Sequence, residues 1–257
     1  MNKITKLTGI LVFFLLTVSI VAQTKVNASD IMRDIKKGKN ITYKNATIVG
    51  VLDFTFMDEQ LDKLPKKRRS WWGNNNSNNK IEKQIDQKIS FENCTFEDNV
   101  FAYIHEENSG YTFIANFEDD VIFKNCIFKE MAFFKYSHFS TKADFSDSKF
   151  NGDSTFKYAK FNRNSDFSNT VFNEESTFKY AVFNRNISFS NAIFKETATF
   201  KYAKFKNGVS FNKTRFEENL DIKYVNVNGK FEISGMHVEY DIDSKYASIN
   251  GEKFSYQ

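Results

Sequence analysis

Residues 154–175 read STFKYAKFNRNSDFSNTVFNEE, and residues 176–197 read STFKYAVFNRNISFSNAIFKET. Set one above the other, they superpose Phe156 on Phe178, Phe161 on Phe183, Phe167 on Phe189 and Phe172 on Phe194. Working outward, the same spacing runs from Phe123 to Phe216, with Phe at alternating intervals of five and six and no slip of phase. Ile222, Val227, Ile233 and Val238 continue it with other apolar residues. Two positions before each Phe stands something small, such as Ala132, Ser148, Ser154, Ala159, Thr170 or Ala198, with Ile187, Val209 and Cys126 as larger members. Side chains two apart in an extended segment point to one side. Each short segment therefore turns a small residue and a Phe inward, and Lys, Asn and Asp outward.

A longer period of 22 is marked by Phe134-Lys135-Tyr136, Phe156-Lys157-Tyr158, Phe178-Lys179-Tyr180, Phe200-Lys201-Tyr202 and Ile222-Lys223-Tyr224. Steps of five and six add to 11, and 22 is four such steps. A coil with four short faces returns to the same corner after each such period, one strand spacing higher, about 4.8 Å. This predicts an all-β solenoid, a parallel β-helix with stacked Phe columns as its core. Burial of one Phe stabilises by about 1.5–3 kcal/mol, so the columns supply a large drive against chain entropy. A helix is excluded because a mean step of 5.5 scatters the Phe around a 3.6-residue turn. An antiparallel meander is excluded because no two-residue hairpin signals recur.

The large central residue with a small one two positions before it resembles the pentapeptide-repeat proteins, over roughly residues 41–54 and 89–240. The resemblance implies a right-handed quadrilateral β-helix with four units per coil, and little about function. Two departures stand out: Phe replaces the more common Leu, and alternate steps carry a sixth residue. The coil is therefore longer than in the strict family, which predicts wider corners or a regular bulge. Some members of the family mimic DNA, which needs a strongly acidic surface and a cytoplasmic target, so that use is not carried over.

The ends read differently. Residues 1–22 carry Lys3 and Lys6 followed by the apolar stretch Leu7–Ala22, the pattern of a cleaved secretory signal peptide. The expected mature chain, residues 23–257, is a single extracytoplasmic domain, secreted or periplasmic. The formal charge of +4 falls to +2 without the two lysines, which gives no strong pull toward nucleic acid. Residues 29–38 read as a short capping α-helix, with Ser29 as N-cap, Ile31 and Ile35 on one face and Gly38 as the stop. Tyr43, Ile48 and Phe54 then begin the first coil, and residues 239–257 lose the period and read as a closing cap.

Two insertions break the rhythm, at residues 55–90 and 97–111. Loops on a rigid scaffold are where function most often sits. The first contains Lys66, Lys67, Arg68, Arg69, Trp71 and Trp72, a cluster suited to anionic polymers, membrane surfaces or sugars, or else a solvated loop whose Trp residues pack back. Cys94 and Cys126 fill matching inward slots, and they stack on neighbouring coils if the second insertion loops out between them. They read either as a disulfide between stacked coils or as two buried thiols. The Lys135–Lys223 and Tyr136–Tyr224 columns read as a stacked, soluble corner or as a binding face.

Enzymatic signals are thin. His105, His138 and His237 are scattered, and no metal-ligand spacing, phosphate loop or nucleophile motif occurs. Asp119, Asp120, Asp144 and Asp166 are the carboxylates to check, but the next equivalents of the last two are Ser188 and Ser210. The expectation is a non-catalytic exported scaffold for protein or glycan contacts, without cofactor or metal. A weak contact with the envelope surface and a homodimer are compatible with it. The competing class is a carbohydrate-active enzyme, a polysaccharide lyase or hydrolase, on the same scaffold.

Overall fold

The computed structural model describes residues 24–64, 79–254 and 256. From Ile41 onward the chain climbs as a square coil, and its short strands stack in parallel into four sheets. Face I carries Ile41–Lys44, Ile89–Glu92, Val121–Lys124, Ala143–Asp144 and their successors. Face II carries Ala46–Val49, Thr95–Phe96, Ile127–Phe128 and Lys149–Phe150; face III carries Leu52–Asp53, Val100–Phe101 and Ala132–Phe133. Face IV carries Tyr111–Phe117, His138–Phe139 and Lys160–Phe161. Successive coils repeat in register, as in Phe150↔Phe172 and Phe161↔Phe183. The sequence-derived fold is therefore observed: an all-β quadrilateral parallel β-helix.

The large side chains of the core are phenylalanine over most of its length, with small residues such as Ala143, Ser148 and Ala159 between them. Along the axis the rings stack flat, Phe128 on Phe150 at 4.5 Å and Phe156 on Phe178 at 5.0 Å between centroids. Across the core, rings of opposite faces meet edge to face, as Phe145 of face I with Phe156 of face III at 79° and Phe167 with Phe178 at 90°. Offset stacks along one direction and T-shaped contacts across it are the two geometries an aromatic quadrupole favours. Phe thus suits every direction in this interior.

The alternation of five and six has a structural cause. The five-residue steps, from face I to II and from III to IV, close with tight turns such as Phe156–Ala159, whose third residue Tyr158 has φ +61°. A positive φ at the third position alone marks a type II turn. The equivalent positions are Tyr136, Tyr180, Tyr202, Tyr224 and Tyr246 at one corner, and Asn125, Asp147, Asn169, Asn191 and Lys213 at the other. Asn and Asp tolerate this conformation, and here they also form a ladder, Asn169 Nδ2 donating to Asp147 Oδ1 at 2.8 Å and Asn191 Nδ2 to Asn169 Oδ1 at 3.1 Å. The six-residue steps are open bends. The sixth residue lies in these bends.

Boundaries differ from expectation at several points. The helix α1 spans Ala28–Lys36, with Asn27 as N-cap and no capping side chain, so Ser29 lies inside its first turn. The reason is a strand unforeseen in the sequence: Thr24–Asn27 pairs in parallel with Ala46–Val49 and sets the course of the chain into the helix. Ile31 and Ile35 are buried over the first coil, and Gly38 ends the helix with φ +75°. A second helix, α2, spans Met57–Leu61. In the second coil the slot of Phe54 and Phe134 is filled by Ala102, so the second insertion begins after that residue rather than at 97. It is a hairpin, Tyr103–Glu106 with Tyr111–Phe117, and the latter strand pairs in parallel with Lys80–Ile85 of the first insertion. The two insertions therefore join as an extension of face IV. At the far end the coil continues to Ile249, and only Glu252–Lys253 turns back antiparallel as a closing strand.

Candidate interaction surfaces

Residues 1–22 and the cluster Lys66, Lys67, Arg68, Arg69, Trp71 and Trp72 lie outside the described residues. Cys94 and Cys126 occupy the same inward column on successive coils, since Thr95 and Ile127 beside them are in register. The structure has both as free, buried thiols. Side by side in a parallel ladder, two Cβ atoms remain about 4.8 Å apart, beyond the mean of about 3.8 Å in a disulfide. Cys126 Sγ instead lies 3.4 Å from the Phe91 carbonyl, the role that Ser148, Thr170 and Thr214 perform higher in the column. The hydrogen bond from Cys126 holds the Cys94 thiol below its ordinary pKa, while burial pushes the Cys126 thiol up. At Cys126, Ser148, Thr170 and Thr214 the column thus ties a coil to a carbonyl of the one before it, while Ala192 only fills its slot. Ser148 does this twice, donating to Phe123 O at 2.6 Å and accepting from Cys126 N at 2.9 Å. Ser148→Ala leaves both groups unmatched in the core and is expected to cost about 1–3 kcal/mol, read from urea unfolding; no change in midpoint would contradict this account.

The Tyr column is assembled as the sequence suggested. From Tyr136 to Tyr246 the rings stack at 4.6–4.9 Å between centroids. Lys157, Lys179 and Lys201 each lie with Nζ 5.5 Å from the centroid of the neighbouring ring. Within the column each ring face is covered by the next, so no sugar or base can stack there. The arrangement gives cohesion at a left-handed corner and leaves only ring edges, hydroxyls and ammonium groups outside.

Face I offers a concavity that sequence reasoning saw only as an interruption of acids. The outward column reads Asp144, Asp166, Ser188, Ser210, Glu232 in register. Two serines between longer side chains leave a dish of about 510 Å³. At its edge Gly208 holds φ +91°, and a Cβ there would meet Lys230 O at 2.7 Å, so only glycine fits. Across the floor Ser188 Oγ donates to Ser190 Oγ at 3.0 Å, and Ser190 Oγ lies 2.9 Å from Ser210 Oγ. Asn164, Asn186 and Asn212 add amides. Hydroxyls and amides that both donate and accept match the hydroxyls of a sugar or the main chain of a peptide.

Within the dish the carboxylates stand far apart. Asp166 and Glu232, both in the dish, are three coils apart, about 14 Å along the axis, and a glycosidase pair is separated by about 5–9.5 Å. Asp144 neighbours Asp166 but is held by Lys142 at 2.7 Å and by Ser146 at 2.6 Å. Burial raises its carboxyl, yet those hydrogen bonds prevail and keep it below the ordinary value. Such a group is ionised and occupied, the opposite of a general acid. Asp120 Oδ1 accepts from Lys142 N. His105 and His237 contact Thr112 and Glu239 at separate places. Among the described residues no cluster of three or more His, Cys, Asp or Glu could hold a metal ion, and no helix is long and apolar enough to cross a membrane.

The fold and its surfaces define a class: a four-sided parallel β-helix of short repeats. The family model for pentapeptide repeats (9 copies) matches residues 115–160 and 156–204, and this stretch thus belongs to the pentapeptide-repeat family. Compared with curated proteins and with solved structures, the chain finds no match.

Proposed function

We propose that the protein is an exported, non-catalytic scaffold that presents rigid faces to a glycan or protein partner. The observation that carries this reading is the polar dish on face I, a recess of hydroxyls and amides without a pair of carboxylates at catalytic distance. Its backbone is fixed by coils above and below, so a ligand meets a preformed surface and little ordering cost. Export rests on the Lys3, Lys6 and Leu7–Ala22 pattern. Ser188→Tyr with Ser210→Tyr fills the dish from outward positions and leaves the core intact. Capture of polysaccharide or protein from the native cell envelope is expected to fall sharply for this variant; equal capture would refute the dish as the contact surface. Depolymerisation of polysaccharides by the purified protein would favour the carbohydrate-active enzyme.

A further inference from the structure

A formal charge of +4 conceals a segregation that the four faces make visible. The stretches that build face IV and its two corners are 134–142, 156–164, 178–186 and 200–208, and none contains an acid. Lys135, Lys157, Lys179 and Lys201 line the corner from face III. Lys160 and Lys204 point outward from face IV itself. Lys142, Arg163, Arg185 and Lys206 line the corner leading to face I. Apart from Lys142, which bonds Asp144, none of these ten cations forms an ion pair among the described residues. The diagonally opposite corner, between faces II and III, carries the acids instead: Glu130, Asp153, Glu174, Glu175, Glu196 and Glu217. The uncompensated charge is felt locally. Burial first, then the like charges of Lys135 and Lys179, holds Lys157 below the ordinary lysine value. Where acids return one coil higher, Lys223 bonds Asp243 at 2.9 Å, and the basic face ends.

We propose that face IV and its flanking corners bind a linear anionic polysaccharide lying along the solenoid axis. This deepens the glycan reading above and rests on it for the class of partner. Three geometric facts select this occupant. The cations recur at every coil, about 4.8 Å apart, a repeat close to the advance of one sugar in an extended chain. The face is straight and rigid over four coils, so it matches a stiff linear polyanion without ordering itself on binding. Nucleic-acid single strands are held largely by bases stacked on aromatic faces, and here the Tyr faces are covered by one another. Recognition is then by charge, with Arg163 and Arg185 able to hold carboxylates in two-point contacts.

Binding of polygalacturonate and of dextran of equal length to the full chain, at low and at high salt, tests this. The wild type should bind polygalacturonate, weaken steeply with salt through screening, and leave dextran unbound by this face. Lys157→Gln, Arg163→Gln, Lys179→Gln, Arg185→Gln and Lys201→Gln combined should weaken binding about tenfold or more, as the loss of several charge contacts does. A control that removes five charges elsewhere, at Lys25, Lys124, Lys149, Lys195 and Lys213, should change it little. Acetylation footprinting of the wild-type protein gives a readout independent of any variant's folding: polygalacturonate should protect Lys157, Lys179 and Lys201 and leave Lys149 and Lys195 reactive. Equal weakening by both variants, equal protection of both sets, or binding to DNA with none to polygalacturonate would overturn the proposal. Dextran bound through the dish, with face IV inert, would overturn this inference and leave the scaffold reading standing; no glycan bound at all would remove the glycan partner from both.

Discussion

Phe167→Ala is expected to lower stability by about 3–5 kcal/mol, one of the two largest effects anticipated in this molecule. Phe167 stacks on Phe145 at 4.9 Å and on Phe189 at 5.3 Å, and it meets Phe156 and Phe178 edge to face. Truncation removes ring contacts above, below and across the core together. The void is walled by rings whose backbones are pinned by ladder hydrogen bonds, such as Phe167 N to Ser188 O at 2.8 Å, so it cannot collapse. Because each coil touches only its neighbours, the loss falls on one interface of a one-dimensional array. Urea unfolding should therefore lose its single sharp transition as the two halves begin to melt apart. Phe167→Leu, which keeps most of the volume, should cost under about 1.5 kcal/mol. Phe133→Ala, on an outward-pointing residue of face III, is the matched control. A loss at Phe167 no larger than at Phe133 would refute the column as the source of cohesion.

What could be read from the residues divides along a physical line. The interior was legible because one side chain serves most of the large inward positions, and its spacing is the coil geometry written directly into the chain. The second coil was harder: Ala102 stands in a Phe slot, so the rhythm looked broken at Phe96 when it continued for one more face. The capping strand Thr24–Asn27 has no alternation to announce it, since it gains its order by pairing with Ala46–Val49. The pairing of Lys80–Ile85 with Tyr111–Phe117 joins segments that sequence separates by three other faces.

The surfaces were less legible for a different reason. Whether Ser188 and Ser210 form a dish depends on what stands one coil away, and that is a relation between coils rather than between neighbours along the chain. Charge shows the same limit. A near-balanced total implied no strong pull toward nucleic acid, but the sum is taken over acids and cations on opposite corners. The five-residue and six-residue steps sort them, and only an assignment of each residue to a face reveals it.

Deletions of different length should separate these two kinds of information, and their effects are the most divergent expected here. Removing residues 156–177 takes out one whole coil and joins Thr155 to Phe178. Thr155 and Thr177 are in register, so every ladder, the Tyr stack and the Asn ladder close again one coil shorter. This variant should fold and melt in one transition. Removing residues 156–166 deletes half a coil and keeps the alternation of five and six, so Phe still meets Phe. It places Asn169 over Tyr136 and breaks the Tyr column, in which each stacked pair contributes about 0.5–1.5 kcal/mol. The chain should fold with lower stability. Removing only residues 156–160 stacks six-residue bends on type II turns. No corner above the cut can then repeat the one below. The left-handed positions fall on Arg163 and Glu174, which resist that conformation and have neither an Asn ladder nor a Tyr stack to hold them in it. The chain beyond the cut should be opened by protease at concentrations that leave the whole-coil deletion intact, with loss of the single thermal transition by circular dichroism. If the shortest deletion and the whole-coil deletion prove equally resistant, the corners do not set the register, and inward Phe burial alone holds the coil together.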